Sequence, residues 1–453
     1  MVNLNHFLQL NIISQNYEGL GVAKVDDLVV FVDGAIKGET VKAKITKVTK
    51  NYAVAKLVEV IKASPNRIKP LCPYFNICGG CSLLHMDYVA GLNLKLDAFN
   101  ETLRKIGKID YKATKIYGME EPFAYRNKIQ MPAGTGDKNK LVFGYYKKDS
   151  HDVVTIEDCL VQSDNVAKVI NFVKNVCNEL NITAYNEQTK TGAIRHILVR
   201  ENKNSELMVV IVTNEEKINN EDILVEKIIN KFSNVKSIIK NINTMHNNVI
   251  LGANSICLFG KDEIVDEILG LKFKISHKSF FQINRSQTEK LYSLVLDNLG
   301  ENAKEMNVID AYCGVGSISL CLAKKVKHVY GIEIVEEAIN DAKNNALLNN
   351  ITNASFYVGK VEDLIDDFID KNIDCIVVDP PRKGIEEKVL RSIINANIKK
   401  IIYVSCNPAT LARDLGILKD YYEIQDISLV DMFCMTNGVE SVCLLKNRAG
   451  NSK

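Results

Sequence analysis

The sequence contains no long hydrophobic run. No stretch of its 453 residues approaches the roughly 18 uninterrupted apolar residues that a membrane span requires. Residues 1–21 lack a charged start, an apolar run and a small-residue cleavage site, so a secretory signal is not expected. Internal repeats and low-complexity segments are also absent. These absences predict a cytoplasmic protein without a membrane partner.

Charge is unevenly distributed along an otherwise ordinary globular composition. Hydrophobic residues make up 46% and charged residues 25%, and the length suggests roughly two to four domains. The formal net charge of +2 identifies no partner. Residues 101–150, however, hold 11 lysines and arginines against six acids, and VKAKITKVTK at 41–50 holds four lysines. Such stretches suit an RNA phosphate backbone, with a solvated lysine face as the alternative.

Three regions of different pattern follow one another. Residues 1–60 read as short strands with turn residues between them, which predicts a small OB-like β-barrel. Residues 70–270 mix helix and strand signals, as in an α+β domain. From 275 to 453, apolar strands alternate with helices, which predicts a mostly parallel, Rossmann-like sheet. The chain is therefore expected to be a multidomain α/β protein.

A glycine-containing loop opens the C-terminal region. MNVIDAYCGVGSISLCLA reads as a buried strand, a turn with Gly314 and Gly316, and a helix. Glu333 follows a second strand and is placed to accept hydrogen bonds from ribose hydroxyls. Because a nicotinamide site would normally show a third glycine, the loop favours S-adenosylmethionine. Cys313 and Cys321 are interpreted as buried packing residues.

Two further strands end in chemically informative loops. DCIVVDPPRKG places Asp379 at a strand end, and IIYVSCNP places Cys406 at another, where a doubly wound sheet binds its ligands. A buried strand thiol is the alternative for Cys406. An Asp-Pro-Pro motif also occurs where amines are methylated, but there an aromatic residue usually follows. Arg382 stands in that position here, which weakens N-methylation as an alternative.

A thiol that faces the ligand-binding edge of the sheet, as expected for Cys406, suits methylation of uracil at carbon 5. That carbon is a poor nucleophile until a thiolate adds at carbon 6, after which a base must remove the carbon-5 proton. Glu440 lies within an apolar run, where a carboxylate without a purpose is unexpected, although an exposed edge position is the alternative. Phe280 and Phe281 are candidates for stacking on an unstacked base, with core packing equally compatible.

Twelve cysteines without an export signal argue against a disulfide framework. Cys72, Cys78 and Cys81 form C-x5-C-x2-C, and Cys159 is a plausible fourth ligand. Four thiolates suit either an iron–sulfur cluster or a structural zinc ion, and the spacing matches neither common ferredoxin pattern. Coordination chemistry alone leaves both the metal and the fourth ligand open.

Taken together, these motifs resemble the bacterial RNA uracil-5 methyltransferase family, specifically its 23S ribosomal RNA branch, over almost the whole chain. The resemblance implies an RNA-binding TRAM-type barrel, a central domain with a [4Fe–4S] cluster, and a catalytic domain that also reaches back to residues 91–118. It implies the nucleophile Cys406 and the base Glu440. The cluster ligands that it implies are Cys72, Cys78, Cys81 and Cys159, and the cofactor residues that it implies are Gln282, Tyr312, Glu333 and Asp379, beside Gly314 and Gly316 of the loop.

The resemblance also has departures and a predicted substrate. Before Glu440 the family usually reads Phe-Pro-His-Thr, one residue, and His-Val-Glu, whereas this chain reads FCMTNGVE at 433–440. Ribosomal RNA is favoured over transfer RNA because members acting on transfer RNA are expected to lack the barrel and cluster. A monomer is expected. The alternatives are an RNA or protein N-methyltransferase and an iron–sulfur RNA-binding protein without catalysis.

Overall fold

The computed structural model describes residues 2–148 and 150–448. Within them the strands are β1 Phe7–Asn11, β2 Ser14–Gln15, β3 Gly21–Val25, β4 Leu28–Asp33, β5 Thr40–Val48, β6 Tyr52–Lys62, β7 Lys115–Tyr117, β8 Lys128–Thr135, β9 Leu141–Tyr146, β10 Val153–Thr155, β11 Ile194–Glu201, β12 Leu207–Thr213, β13 Val235–Ile242, β14 Asn254–Gly260, β15 Glu263–Ile268, β16 Leu271–Ser276, β17 Asn307–Ala311, β18 His328–Glu333, β19 Ala354–Val358, β20 Cys375–Val378, β21 Lys400–Ser405, β22 Tyr422–Val430 and β23 Glu440–Asn447. The α-helices are α1 Tyr88–Thr102, α2 Asp164–Glu179, α3 Glu221–Lys231, α4 Arg285–Asp297, α5 Ser317–Ala323, α6 Glu336–Leu348, α7 Val361–Leu364, α8 Glu387–Asn395 and α9 Pro408–Leu418.

The chain divides into two compact units. The first unit comprises Met1–Phe75, Gly80–Glu120 and Pro380–Lys453. The second unit comprises Asn76–Gly79 and Glu121–Asp379. The domain boundaries expected from the sequence, at 1–60, 70–270 and 275–453, stay predictions.

The N-terminal part of the first unit is a six-stranded sheet in the order β1-β5-β6-β4-β3-β2. The pairs are antiparallel except β4 with β6, which is parallel. Strand β5 shows why the sequence folds this way, because buried Val41, Ala43 and Ile45 alternate with Lys42 and Lys44 on the other face. A lysine face therefore accompanies the hydrophobic core. Closure of this sheet into a barrel stays a prediction.

The C-terminal part of the first unit contains strands in the order β21-β23-β22-β7. Strand β23 runs antiparallel to both β21 and β22, and β7 runs parallel to β22. The register pairs Lys115 with Ser428 and Tyr117 with Val430. A short strand from the early part of the chain therefore forms backbone hydrogen bonds with the C-terminal region.

A buried ion pair anchors α1 to the same region. The Lys95 ammonium donates to Asp431 Oδ1 at 2.5 Å and to the carbonyl oxygens of Phe433 and Gly438 at 3.2 and 2.8 Å. The Tyr88 hydroxyl donates to Asp431 Oδ2 at 2.7 Å. The side chains of Lys95 and Asp431 are 3% and 0% exposed. Since a buried charge requires a partner and full hydrogen bonding, this network fixes the segment that precedes β23.

Helix α1 begins directly after Asp87. The Asp87 carboxylate accepts hydrogen bonds from the backbone N–H groups of Val89 and Ala90, at 3.1 and 3.2 Å, and so caps the helix at Tyr88. The helix continues into a π-type turn at Leu103–Gly107. None of the helices in the described ranges has both the length and the apolar composition needed to cross a membrane.

The second unit contains a seven-stranded sheet in the order β10-β9-β8-β11-β12-β13-β14. Strands β12 and β13 are parallel and are joined through α3, while the other pairs are antiparallel. Helix α2 packs against α3, β9 and β11. This mixed sheet agrees with the α+β pattern predicted for the centre of the chain.

Four parallel strands of the second unit follow in the order β19-β18-β17-β20. Helices α5 and α6 connect β17 to β18 and β18 to β19. All four residues of β20 are buried, as expected for a strand covered on both faces. The α/β architecture predicted for the C-terminal region is therefore confirmed, and the carboxyl ends of β17 and β18 mark the edge where ligands bind in such sheets.

Replacing Lys95 by methionine is expected to lower the free energy of unfolding by about 3–5 kcal/mol, because Asp431 would stay buried without its cation. Urea unfolding followed by circular dichroism measures this change. Lys105→Met is the matched control, since Lys105 forms an exposed pair with Glu101 and its loss should cost at most about 0.5 kcal/mol. Equal, small changes in both variants would contradict the importance of the buried pair.

Candidate active site

A cavity of about 460 Å³ lies in the second unit at the carboxyl ends of β17 and β18. Five of the six residues predicted to bind a cofactor line this cavity, namely Gln282, Tyr312, Gly314, Glu333 and Asp379. They come from four separate parts of the sequence, so the fold brings together residues that the motifs identified individually. Gly316 does not line the cavity.

The two loop glycines have different functions in the structure. Gly316 has φ +80° at the start of α5, and a Cβ atom there would lie 3.0 Å from the Ala342 Cβ. Gly314 has φ +53°, and a Cβ atom there would meet nothing within 4 Å. Gly316 thus permits close packing of α5 on α6, whereas Gly314 leaves open space on the cavity side. Tyr312 also has a positive φ, +68°, which marks a strained turn.

Glu333 is held in a fixed orientation at the end of β18. Its Oε2 atom accepts a hydrogen bond from the Gly314 backbone N–H at 3.2 Å, and its Oε1 atom accepts one from the Val335 N–H at 3.0 Å. Both donors belong to loops at the edge of the sheet. The carboxylate is therefore oriented before any ligand binds.

Carboxyl groups dominate the polar lining of the cavity. Burial raises the pKa of Asp379 to about 7. Burial also raises the pKa of Asp310 to about 7, and the neighbouring Asp379 adds to this effect while the Ser319 hydroxyl, 2.5 Å from Asp310 Oδ2, opposes it. The acidic lining residues are Asp310, Glu333, Glu337, Asp341 and Asp379, against the single lysine Lys278 among the described lining residues. Such a cavity suits a cationic ligand.

Several lining residues were not predicted from the sequence. Asp310 is completely buried, and its Oδ1 atom has no hydrogen-bond partner within the described part of the chain. The Ser317 hydroxyl lies 2.7 Å from the Tyr292 hydroxyl. Asp310 and Ser317 belong to the same DAYCGVGS motif as the predicted residues, so the motif could have identified them. Asp341, which accepts a hydrogen bond from the Ser279 hydroxyl at 3.0 Å, has no such signal.

The structure distinguishes the two aromatic residues that precede Gln282. Phe281 is buried and packs against Phe273, with ring centroids 6.0 Å apart. Phe280 lines the cavity and is 74% exposed. Core packing is therefore the role of Phe281, and Phe280 presents a free ring face.

Cys406 lies in the first unit, directly after β21 and directly before α9. Asn407 caps this helix by accepting a hydrogen bond from the Ala409 N–H at 3.0 Å, and Pro408 occupies the first helical position. The Cys406 side chain is half-buried rather than enclosed in the core. A thiol at the N-terminal end of a helix lies in a positive field that favours the thiolate.

The loop that follows the Asp-Pro-Pro motif packs against this helix end. The Arg382 carbonyl oxygen accepts hydrogen bonds from Asn407 Nδ2 at 3.0 Å and from the Thr410 hydroxyl at 3.4 Å. The Arg382 side chain is exposed. The same asparagine thus fixes both the start of the helix and the neighbouring loop.

Glu440 begins β23 and is 4% exposed, which excludes the exposed edge position considered from the sequence. The last pair in the β21–β23 register is Ser405 with Ser441, and the Ser441 hydroxyl donates to the Ser405 carbonyl at 3.1 Å. Cys406 follows the last residue of β21, and Glu440 is the first residue of β23. Because the two strands are antiparallel, the end of β21 and the start of β23 lie at the same end of the strand pair.

The segment that departs from the family pattern is well anchored within the first unit. The Cys434 thiol donates to the Asp431 carbonyl at 3.3 Å. Met435 adopts φ +63°, and its carbonyl oxygen accepts two backbone N–H groups, those of Ser82 and Leu83, each at 3.0 Å. Asn437 Nδ2 donates to the Tyr17 carbonyl at 3.2 Å. These contacts and those of Lys95 hold the loop in one conformation, although it lacks the prolines and histidines of the family pattern.

The four predicted cluster ligands form no disulfide bonds and are half-buried. Cys72 and Cys81 belong to the first unit, and Cys78 and Cys159 to the second. Over residues 2–148 and 150–448, no group of three or more His, Cys, Asp or Glu side chains is arranged to hold a metal ion. The [4Fe–4S] cluster on these four thiols therefore stays a prediction.

Comparison with known proteins gives two family matches. The model of the tRNA (uracil-5-)-methyltransferase family matches residues 94–448, and the TRAM domain model matches residues 9–58. An RNA methyltransferase of Clostridium acetobutylicum is 46% identical over 436 residues, which cover 94% of each chain. One of Staphylococcus epidermidis is 44% identical over 437 residues, 96% of each chain. The predicted family and the predicted TRAM domain are both confirmed.

A solved structure is similar over nearly the full length. It is the Pyrococcus abyssi tRNA (uracil-54, C5)-methyltransferase in complex with S-adenosyl-L-homocysteine, 28% identical, with a TM-score of 0.79 over 96% of this chain and 99% of that one. An enzyme described as acting on transfer RNA therefore shares the whole architecture. The expectation that members acting on transfer RNA lack the N-terminal region is wrong for this enzyme, because the likeness covers 96% of this chain.

Proposed function

The chain belongs to the tRNA (uracil-5-)-methyltransferase family, and from this we propose that it transfers a methyl group from S-adenosylmethionine to carbon 5 of a uridine in RNA. One observation of the molecule carries the proposal most directly. The half-buried thiol of Cys406 and the buried carboxylate of Glu440 lie at the same end of the paired strands β21 and β23, and a thiol and a carboxylate are the two groups that this chemistry requires.

The cavity in the second unit suits S-adenosylmethionine, whose sulfonium supplies an electrophilic methyl group. The acidic lining complements the positive charge of that sulfonium. The open space at Gly314 allows close approach to the backbone, and Glu333 is oriented to accept ribose hydroxyl groups. We assign cofactor binding to Gln282, Tyr312, Gly314, Gly316, Glu333 and Asp379, with Gly316 acting through the shape of the loop.

Cys406 supplies the nucleophile in this proposal. Its thiolate bonds to carbon 6 of the uracil ring, and the electrons of the carbon 5–carbon 6 double bond move into the ring as an enolate. Carbon 5 then bonds to the methyl group, and S-adenosylhomocysteine leaves. The helix end at Asn407 stabilises the thiolate before attack and whenever it is released.

Glu440 completes the reaction by removing the proton from carbon 5. The electrons of that C–H bond restore the ring double bond, and the bond between the Cys406 sulfur and carbon 6 breaks. The carboxylate is buried, so it is protected from competing water. Its position at the start of β23 gives it a rigid support.

RNA binding is assigned to surfaces described above. The outward lysines of β5, including Lys42 and Lys44, offer a positive surface on the TRAM domain. The exposed ring of Phe280 is available to stack on the unstacked target base.

The proposed target is a uridine of 23S ribosomal RNA, following the family resemblance. Transfer RNA is the competing class, because the similar archaeal enzyme is described as acting on it. Mass spectrometry of nucleosides from separately purified ribosomal and transfer RNA, with and without this protein, decides between them. A cytoplasmic location and a monomeric state stay predictions.

A [4Fe–4S] cluster on Cys72, Cys78, Cys81 and Cys159 also stays a proposal. It is supported by the four thiols and their spacing in the sequence, and no catalytic step depends on it. Iron and acid-labile sulfide measured in anaerobically purified protein test it, and a protein without either would overturn it.

Cys406→Ala is expected to abolish formation of 5-methyluridine and of a covalent adduct with RNA that contains 5-fluorouridine, because no sulfur is then available to bond with carbon 6. Binding of S-adenosylhomocysteine should be unchanged. The matched control is Cys257→Ala, which removes an exposed thiol of β14 and should leave activity intact. Normal turnover by Cys406→Ala would end the proposed mechanism.

Glu440→Gln is expected to accumulate a methylated covalent adduct between the protein and RNA, since addition and methyl transfer survive while removal of the carbon-5 proton stalls. Denaturing gel electrophoresis followed by mass spectrometry of the adduct measures this. Release of 5-methyluridine at the normal rate would assign the proton transfer to another group.

The affinity for S-adenosylmethionine is expected to rise with pH up to about 7 and then level off. Burial raises the pKa of Asp379 to about 7. A cationic ligand favours the ionised carboxylate, so binding releases a proton below that pH, and affinity changes by up to about tenfold per pH unit for each such group. Calorimetry at pH 6 and pH 8 should show a smaller change for neutral S-adenosylhomocysteine, and Asp379→Asn should reduce the difference. Parallel pH profiles for the two ligands would contradict this electrostatic role.

A further inference from the structure

Two cationic side chains lie directly opposite each other in the seven-stranded sheet of the second unit. Lys128, the first residue of β8, is paired in the antiparallel register with Arg200 of β11. Opposed residues of antiparallel strands share a face, and like charges at such positions repel each other. Arg200 is 3% exposed, whereas Lys128 is half-buried and retains access to solvent.

The surrounding acids are already engaged with other groups. Asp266 forms an ion pair with Arg285 at 3.0 Å and accepts the Lys203 N–H at 2.9 Å, although its charge also reaches Arg200. Glu201 accepts hydrogen bonds from the Ser163 hydroxyl and the Asn165 amide. Within the described residues, no carboxylate pairs with Lys128.

The positive charges of Lys128 and Arg200 are not fully offset by their surroundings. Burial, and then the charge of Arg200, lower the pKa of Lys128 to about 8. One Arg200 guanidinium nitrogen donates to the Ser279 carbonyl, while its buried Nε has no hydrogen-bond partner among the described atoms. Cations withdrawn from water need an anion or acceptor to offset the lost solvation. An oxyanion beside Lys128 would meet that need.

Lys128 and Arg200 lie next to the loop that contains Gln282, but they do not line the cofactor cavity. Asn127, which precedes Lys128, donates to the Gln282 carbonyl at 2.9 Å, and Arg200 bonds to the same loop at Ser279. Neither Lys128 nor Arg200 is among the described residues that line the cavity. A ligand at Lys128 therefore lies next to the cofactor-binding loop but outside the space for the cofactor.

We infer that Lys128 contacts a backbone phosphate of the RNA substrate, and that Arg200 strengthens the contact by its charge from the adjacent strand. The inference rests on the proposed function, because it takes RNA to be the substrate. A phosphate suits the position because it offers several acceptor oxygens to an ammonium group with solvent access. The contact would hold the RNA chain beside the cofactor-binding loop and would carry no base specificity.

The test compares Lys128→Gln and Lys128→Arg with the wild-type chain in binding a fluorescein-labelled oligouridylate over a range of salt concentrations. Loss of one phosphate contact to a single strand should reduce the slope of log affinity against log salt by about 0.7. Lys128→Arg should restore the wild-type slope. Lys227→Gln is the matched control, since it removes the same charge from the same unit at an exposed pair with Glu179.

The affinity for S-adenosylhomocysteine, measured in the same variants, shows whether Lys128 binds an RNA phosphate or the carboxylate of the cofactor. An unchanged cofactor affinity with a reduced salt slope supports the phosphate contact. A slope equal to that of wild type, or a weakened cofactor affinity with normal RNA binding, overturns it, and the latter result would assign the anion to the cofactor carboxylate. Absence of 5-methyluridine formation by the wild-type chain would instead reject the proposed function, so the two failures are distinguishable.

Discussion

The antiparallel pairing of β21 with β23 is the constraint on which the candidate catalytic pair depends. It puts Cys406, which follows β21, and Glu440, which begins β23, at the same end of the strand pair. A slip of one residue would turn the side chains of one strand to the opposite face of the sheet. The buried pair of Lys95 and Asp431 reinforces this register, because it holds the segment that leads into β23. Backbone geometry and one ion pair thus specify a site that no single sequence motif contains.

The sequence predicts those structural features whose geometry depends on a local pattern of residues. The loop at 312–316 is a strand, turn and helix in sequence and in structure, and five of the six residues assigned to the cofactor line one cavity. The alternating burial of β5 and the continuous burial of β20 likewise follow from periodicity. The Glu440 side chain was expected to be buried because of its apolar neighbours, and it is.

Features that depend on contacts between distant segments could not be predicted. The Lys95 side chain reads as one more cation of an amphipathic helix, and only the fold shows that it is buried against Asp431. The opposition of Lys128 and Arg200 arises from the strand register, which the sequence does not display. The choice of ribosomal RNA rested on domain content, but the archaeal transfer RNA enzyme is similar over 96% of this chain, including its N-terminal region.

The first unit is built from segments that are far apart in the chain, and this has a consequence for biosynthesis. The partner of Lys95 lies 336 residues later. During translation, α1 and β7 leave the ribosome long before the C-terminal segment that buries them. Their apolar and charged surfaces therefore stay exposed until that segment is synthesised. The six-stranded N-terminal sheet, whose partners are all local, can form early. The chain should therefore depend most on chaperones after the N-terminal sheet has formed and before the C-terminal segment has been synthesised.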